Sequence, residues 1–375
     1  MRFFAALLFS LMSLSSLAQT PQPPALAAKA WLLLDYGANQ VLTAHNAEER
    51  VEPASLTKLM TAYLTFSAFK ANTLSRDQVI PVSERAWKMG GSRMFIEPRH
   101  EVTADQLVHG MIIQSGNDAS VALAEAIAGS EEAFAELMNR EAKRLGMTGT
   151  HFMNSTGMPD DQHYTTARDL AILAAAVVRD FPEDYRLYSE KEYTYNGIRQ
   201  PNRNRLLWMD AAVDGIKTGH TEAAGYCLVS SAVRGPRRLI SVVLGSDSDG
   251  VRTQDSLKLL NYGFQFFDTV RLYENAAAVS RFRVWKGTAE EVPVGFLNDF
   301  VLSVPKGQAD KLQVKLDSVQ PLEAPVRKGQ EVGTLTLTLD GNTIGSYPVV
   351  ALEEVTLAGW FGRMWDAIRW WIKNL

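Results

Sequence analysis

The order of apolar and polar positions divides the chain into four stretches of different texture. Residues 1–18 read as a secretory signal: Arg2 supplies a positive start, residues 3–14 form an apolar run too short to span a bilayer, and Ser16-Leu17-Ala18 sets small residues at −3 and −1 of a cleavage point. Ala25-Leu26-Ala27-Ala28 is a second small-residue run that competes for the cleavage position. In residues 19–270 strand-like runs alternate with longer helical ones. Residues 30–35 and 40–44 flank Tyr36-Gly37-Ala38-Asn39 as the arms of a hairpin would. Helical periodicity covers 54–70, after Pro53 at a helix start, and then 102–114, 119–128, 130–145 and 166–179. Residues 225–233 and 238–244 are apolar, β-branched runs on either side of Arg234-Gly235-Pro236, and are expected to add a second hairpin to the same sheet.

In residues 271–355 short runs of Val, Leu and Thr are broken by Gly, Pro and Asn. Residues 334–339 alternate strictly before the turn Asp340-Gly341-Asn342. This texture predicts a small all-β domain that spaces the first domain from the C-terminus. In residues 356–375, Leu357, Trp360, Phe361, Met364, Trp365, Ile368, Trp371, Ile372 and Leu375 share one helical stripe, with Arg363, Asp366, Arg369 and Lys373 off it. Indole favours the membrane–water interface, and the charges oppose a spanning helix, so the stretch predicts an in-plane amphipathic anchor. The fold class expected is α+β: an antiparallel sheet framed by helices, a small all-β domain, and a C-terminal amphipathic helix.

Composition removes several function classes. The chain has 375 residues, enough for two cores, and a net charge of −4, whereas a nucleic-acid binder would carry a basic surplus. One cysteine, Cys227, allows neither an internal disulfide nor a cysteine-based zinc cluster. The six histidines show no His-Glu-x-x-His spacing, so no metal and no cofactor are expected.

Three short motifs carry the candidate chemistry: Ser55-Leu56-Thr57-Lys58, Ser115-Gly116-Asn117 and Lys217-Thr218-Gly219-His220. Ser-x-x-Lys also occurs at Ser67–Lys70 and Ser303–Lys306, but only Ser55 follows a helix-starting proline, where free N–H groups favour developing negative charge. Residues at i and i+3 share a helix face, so Lys58 can reach the Ser55 hydroxyl. A lysine acts as base only when neutral. Burial lowers its pKa, and so does a second ammonium, for which Lys217 is the candidate. Ser115 and Asn117 would complete a proton relay and bind a substrate amide. Lys217-Thr218-Gly219, opening the strand region at Gly225, would set a sheet edge beside the nucleophile for an extended peptide. Singly, each motif also fits a surface lysine, an ordinary turn or a hairpin connection.

Together and in this order, the three motifs resemble the set shared by penicillin-binding proteins and serine β-lactamases. The chain looks most similar to the low-molecular-mass D-alanyl-D-alanine carboxypeptidases, the penicillin-binding protein 5 and 6 group, over nearly its whole length. The resemblance includes Ser115-Gly116-Asn117-Asp118-Ala119, His151-Phe152-Met153-Asn154, Tyr164-Thr165-Thr166-Ala167-Arg168-Asp169, Asn202-Arg203-Asn204-Arg205-Leu206-Leu207-Trp208 and Asp214-Gly215-Ile216-Lys217-Thr218-Gly219-His220. It implies a β-lactamase/transpeptidase-like catalytic domain, a β-rich second domain and a membrane anchor. It also implies that Ser55 attacks the bond between two D-alanines of a peptidoglycan stem peptide, with Lys58 as base and Lys217, Ser115 and Asn117 in support. Backbone N–H groups of Ser55 and His220 would form the oxyanion hole, while Thr218 and Arg203 hold the terminal carboxylate and Gly219 completes the substrate-binding set. β-Lactams would acylate Ser55. The implied setting is a bacterial periplasm, at the inner-membrane surface.

Other readings share these residues. A D,D-endopeptidase would use the same site. A class A β-lactamase usually has Ser-Asp-Asn where Gly116 stands here, and carries a Glu-x-x-Leu-Asn whose closest counterpart, Glu136-Leu137-Met138-Asn139, is one residue short. A non-catalytic wall-binding scaffold would leave the complete motif set unused.

Overall fold

The computed structural model describes residues 22–360 and Met364. The expected signal at 1–18 lies outside them, as do residues 361–363 and 365–375 of the expected anchor at 356–375. Strands β1 (Ala30–Asp35) and β2 (Gln40–His45) form the first hairpin. After a one-turn 3₁₀ segment, Ala54–Thr57, come helices α1 (Lys58–Lys70), α2 (Ala104–His109), α3 (Asn117–Ala128), α4 (Glu131–Leu145) and α5 (Ala167–Asp180). A small hairpin follows, β3 (Glu192–Tyr195) and β4 (Ile198–Pro201). Then β5 (Val213–Thr221), β6 (Gly225–Arg234) and β7 (Arg237–Ser246) lead into α6 (Asp249–Phe266). The main sheet is antiparallel throughout, in the order β2-β1-β7-β6-β5.

Both faces of this sheet are covered, which explains why β1 reads as a continuous apolar run instead of an alternating one. Leu32, Leu34, Val229, Ile240 and Val242 face the core shared with α1, α3 and α5. Leu33, Leu228, Ala232, Leu239 and Val243 face Leu259, Leu260 and Tyr262 of α6. Successive strand residues point to opposite faces, so one strand serves two cores.

The structure departs from the sequence expectations at several places. The helix expected over 102–114 stops at His109. Thr103 and Gln106 cap its start reciprocally, and Gly110–Gln114 then widens into a π turn that ends at Ser115, φ 66°. Helix α6 carries no sequence assignment, because its buried face includes Arg252, Thr253, Asp255 and Ser256, and polar residues there erase the apolar period. The β3–β4 hairpin also went unassigned although Asn196-Gly197 signals it; both residues have positive φ, as a tight two-residue turn requires.

Beyond α6 the described chain is mostly β: β8 (Phe267–Tyr273), followed by β9 (Ala278–Arg283), β10 (Glu291–Gly295), β11 (Phe300–Pro305), β12 (Leu312–Ser318), β13 (Glu331–Leu339) and β14 (Asn342–Ala351). A five-stranded antiparallel sheet, β12-β13-β14-β10-β9, accompanies the β8–β11 pair over a core that includes Val292, Leu302, Val304, Leu335 and Leu337. Strand β13 buries Leu335, Leu337 and Leu339 and turns its threonines outward, as its alternation predicts.

One fully buried carboxylate joins the two domains. Asp35 Oδ2 accepts from Arg237 Nε (2.9 Å), Thr269 Oγ1 (2.9 Å) and Ser303 Oγ (2.7 Å), and Oδ1 accepts from the N–H groups of Gly37 and Ala38. Gln40 adds a reciprocal pair with the Ser303 backbone. Asp35→Ala leaves the Arg237 guanidinium nearly buried without its anion, and is expected to destabilise the protein by about 3 kcal/mol or more in urea unfolding. An unchanged unfolding midpoint would show that the junction contributes nothing.

Candidate active site

The site is assembled where the 3₁₀ turn before α1, the π turn before α3 and the edge strand β5 meet. Ser55 lies on the 3₁₀ turn directly after Ala54, whose φ of 47° is left-handed. Lys58, the first residue of α1, is buried behind it, and its Nζ lies 3.0 Å from Ser55 Oγ. The same Nζ donates to Asn117 Oδ1 at 2.7 Å and to the Thr156 carbonyl at 2.6 Å. The left-handed turn at Ser115 starts α3 afresh, so that Asn117 reaches Lys58 while Ser115 reaches Lys217 Nζ at 2.9 Å.

Asn117 is held from its other side. Its Nδ2 donates to Gly90 O (2.8 Å) and its backbone N–H to Ser92 O (2.7 Å). The neighbouring buried carboxylate of Asp118 accepts from the N–H groups of Met94, Phe95 and Ile96 and pins that loop against α3.

Lys217-Thr218-Gly219-His220 does not open β6; it lies within β5, in register with Val229, Leu228, Cys227 and Tyr226. β5 is the edge of the sheet, and its backbone touches the nucleophile's turn. A Cβ on Gly219 would come within 3.0 Å of Pro53 O and 3.2 Å of Ser55 N, so a side chain there would push the strand away. Arg252 of α6 braces this strand by donating to Gly219 O (3.1 Å) and Cys227 O (3.2 Å). His220 stacks on Tyr226, with ring centroids 3.9 Å apart.

An open cleft of about 630 Å³ is lined by Ser55, Ser115, Asn117, Arg203, Thr218, Gly219 and His220 together, with Lys58 and Lys217 buried beneath. All nine sequence candidates therefore converge on one place. The two competing Ser-x-x-Lys serines do not: Ser67 sits inside α1 and Ser303 belongs to the domain junction.

The electrostatics suit a base. Burial, followed by the Arg203 guanidinium, pulls Lys58 down to about 7, against the opposing pull of Asp118 and Glu131. Arg203 is thus a cation pressing on Lys58 that the sequence did not suggest, and Lys58 and Lys217 press on each other as well. Lys217 is itself held well below the ordinary lysine range, by burial first and then by Lys58, Arg203 and Arg252. Arg203 donates Nε to Gln114 O (3.1 Å), and among the described residues no carboxylate pairs with it. A guanidinium with no anion beside it, at the wall of a cleft, suits a carboxylate ligand.

Sequence reasoning missed residues 155–158, which follow the His151-Phe152-Met153-Asn154 stretch and supply the third partner of Lys58. It also missed Arg252 and Tyr226. Asn154-Ser155-Thr156-Gly157 reads as an ordinary turn. Its one telling residue is Gly157, where a Cβ would fall 1.7 Å from Ala54 O, and where φ is 84°.

Comparison with known proteins points one way. A family model described as D-alanyl-D-alanine carboxypeptidase matches residues 17–248, and another, described as penicillin-binding protein 5, C-terminal domain, matches residues 267–357. The D-alanyl-D-alanine carboxypeptidase DacC of Escherichia coli (strain K12) is 45% identical over 358 residues, covering 93% of this chain and 90% of that protein. DacA of the same strain is 42% identical, covering 93% and 89%. The crystal structure of penicillin-binding protein 5 from Haemophilus influenzae superposes with a TM-score of 0.86 at 39% identity, covering 90% of this chain and 99% of that one. Penicillin-binding protein D2 from Listeria monocytogenes, in its ampicillin-bound form, superposes with a TM-score of 0.61 at 32% identity, covering 65% of this chain and all of that one (100%). The helix-framed antiparallel sheet followed by a β domain is the architecture this chain shares with its full-length relatives.

Proposed function

This chain belongs to the D-alanyl-D-alanine carboxypeptidase family, and we propose that it removes the terminal D-alanine from peptidoglycan stem pentapeptides through an acyl-enzyme on Ser55. The observation that carries this reading is the Lys58 amine, 3.0 Å from Ser55 Oγ and lowered to about 7, at the floor of an open cleft. Neutral Lys58 takes the hydroxyl proton as Ser55 Oγ attacks the carbonyl between the two D-alanines. Backbone N–H groups of Ser55 and His220 receive the oxyanion. Arg203 and Thr218 hold the terminal carboxylate, so that only a chain end fits. The proton passes to the leaving amine, D-alanine departs, and water hydrolyses the ester with Lys58 again as base. Lys217 and Ser115, hydrogen-bonded to each other, supply the second route for that proton, and Asn117 fixes both Lys58 and the substrate amide. A wall that loses its pentapeptide donors forms fewer cross-links. β-Lactams present the same carboxylate and a strained amide, and are expected to acylate Ser55.

The setting is part of the proposal. Residues 1–18 direct export to the periplasm, residues 19–270 form the catalytic unit, residues 271–355 hold it off the membrane, and residues 356–375 lie in the inner-membrane surface. No helix of the described residues is long and apolar enough to cross a membrane. Deleting residues 356–375 is expected to move the protein from the membrane pellet to the soluble fraction; a truncated protein that still sediments with membranes rules the anchor out.

The test of function is release of D-alanine from a peptide ending in D-Ala-D-Ala, with a fluorescent penicillin to mark the acylated serine. Both are expected of the wild type. Cleavage of a cross-linked dimer without release from the pentapeptide would make the protein an endopeptidase instead. Penicillin turnover without peptide cleavage would make it a β-lactamase.

A further inference from the structure

Lys58 Nζ has three partners: Ser55 Oγ, Asn117 Oδ1 and Thr156 O, at 3.0, 2.7 and 2.6 Å. A neutral amine has two N–H donors and one lone pair. The Asn117 and Thr156 oxygens are carbonyls, which only accept. Between them they engage both donors, and the lone pair is left facing the Ser55 hydroxyl. If either acceptor moves, the amine can turn an N–H toward Ser55 and ceases to be aligned as its base.

The Thr156 carbonyl is presented by a loop wrapped around one amide side chain. Asn154 Oδ1 accepts from Thr156 N (3.1 Å), Thr156 Oγ1 (2.9 Å), Gly157 N (2.7 Å) and Met158 N (3.2 Å), and its Nδ2 donates to Met158 O (3.0 Å). The loop is tied to the helices at Ser155. Glu131 accepts from Ser155 N and Oγ, and Thr61 Oγ1 donates to Ser155 O. Asn154 makes most of the hydrogen bonds that tie together the residues on either side of Gly157, the Met158 N–H adding one to Thr156 Oγ1 (3.2 Å), and there the backbone presses on Ala54 next to the nucleophile.

Resting on the function proposed above, we infer that Asn154 is a positioning residue for the reaction: it folds residues 154–158 around its amide, so that Thr156 O orients the lone pair of Lys58 toward Ser55. Asn154 reaches Lys58 only through that carbonyl.

The experiment follows acylation of the full chain by fluorescent penicillin from pH 5 to 9, for wild type, Asn154→Ala and Asn154→Asp, with a melting curve for each. Asn154→Ala is expected to slow acylation on the high-pH plateau by about 10- to 100-fold, the scale of a displacement near 1 Å at a reacting group. Its rising limb should also move to lower pH, because a carbonyl acceptor stabilises the ammonium more than the amine. Asn154→Asp keeps an oxygen for the loop N–H groups and is expected to recover most of the plateau. Its added negative charge should move the limb to higher pH.

A wild-type plateau and limb in Asn154→Ala overturn the inference. So does slowed labelling in both variants with the limb unmoved and the melting point lowered, which marks a role in folding alone. A wild type that is never labelled overturns the functional reading itself, and this inference falls with it.

Discussion

Replacing Ser55 by alanine will leave a folded protein that releases D-alanine at least about 10³-fold more slowly and takes up no covalent penicillin. The change removes one oxygen from a half-buried turn whose backbone is held by other contacts, so the melting midpoint should stay within about 1 °C of wild type. The size of the loss follows from the serial mechanism: no neighbouring group can form the ester, so every later step is starved. Ser67→Ala is the informative control. Ser67 lies on the same helix in the same motif, but away from the cleft, and its loss is expected to leave release unchanged. Turnover that survives in Ser55→Ala, or vanishes in Ser67→Ala, would place the nucleophile elsewhere.

The second large effect concerns the base. Lys58 must be neutral to accept the Ser55 proton, and its pKa is lowered to about 7 by burial and by Arg203. The neutral fraction grows as pH rises, so acylation should climb through about pH 7 and level off near pH 8. Lys58→Arg keeps a cation but none that loses its proton in this range, and acylation should fall by about 10²- to 10⁴-fold at every pH. Lys58→Met, close in volume and free of charge, separates loss of the base from crowding of the buried site. Arg203→Gln removes the cation nearest in effect, so the limb should move toward higher pH while carboxylate binding weakens. A pH-independent acylation rate between 5 and 9 would remove Lys58 from the base role.

Much of this protein is legible one segment at a time. The first hairpin, helices α1 and α3–α5, the β6–β7 hairpin and the alternating strand β13 follow from apolar periods and turn residues, because local sterics and one-sided burial impose those periods. What escaped was structure whose signal is not apolar: α6 with its polar buried face, and the β3–β4 hairpin marked only by Asn196-Gly197. The break at Gly110–Gln114 escaped for a different reason. The local sequence favours helix there, and the tighter demand comes from the site, which needs Ser115 and Asn117 to point at different lysines.

The site divides along the same line. The motifs Ser-x-x-Lys, Ser-x-Asn and Lys-Thr-Gly-His are each contiguous in the chain, so residue type and spacing alone were enough to single out Ser55, Lys58, Ser115, Asn117 and Lys217 with Thr218, Gly219 and His220, and the resemblance added Arg203 and the substrate-binding roles of the last three. Pro53 already favoured Ser55 over Ser67 and Ser303, but that Ser55 lines a cleft, and that Arg203 acts on Lys58, was decided only by the tertiary structure. Lys58 meets Asn117 and Thr156 across 59 and 98 residues of chain, and Lys217 meets Ser115 across 102. Burial and charge separation are properties of such long-range contacts. A lysine in sequence is therefore only a lysine, and becomes a base once folding has removed its water and aimed its lone pair.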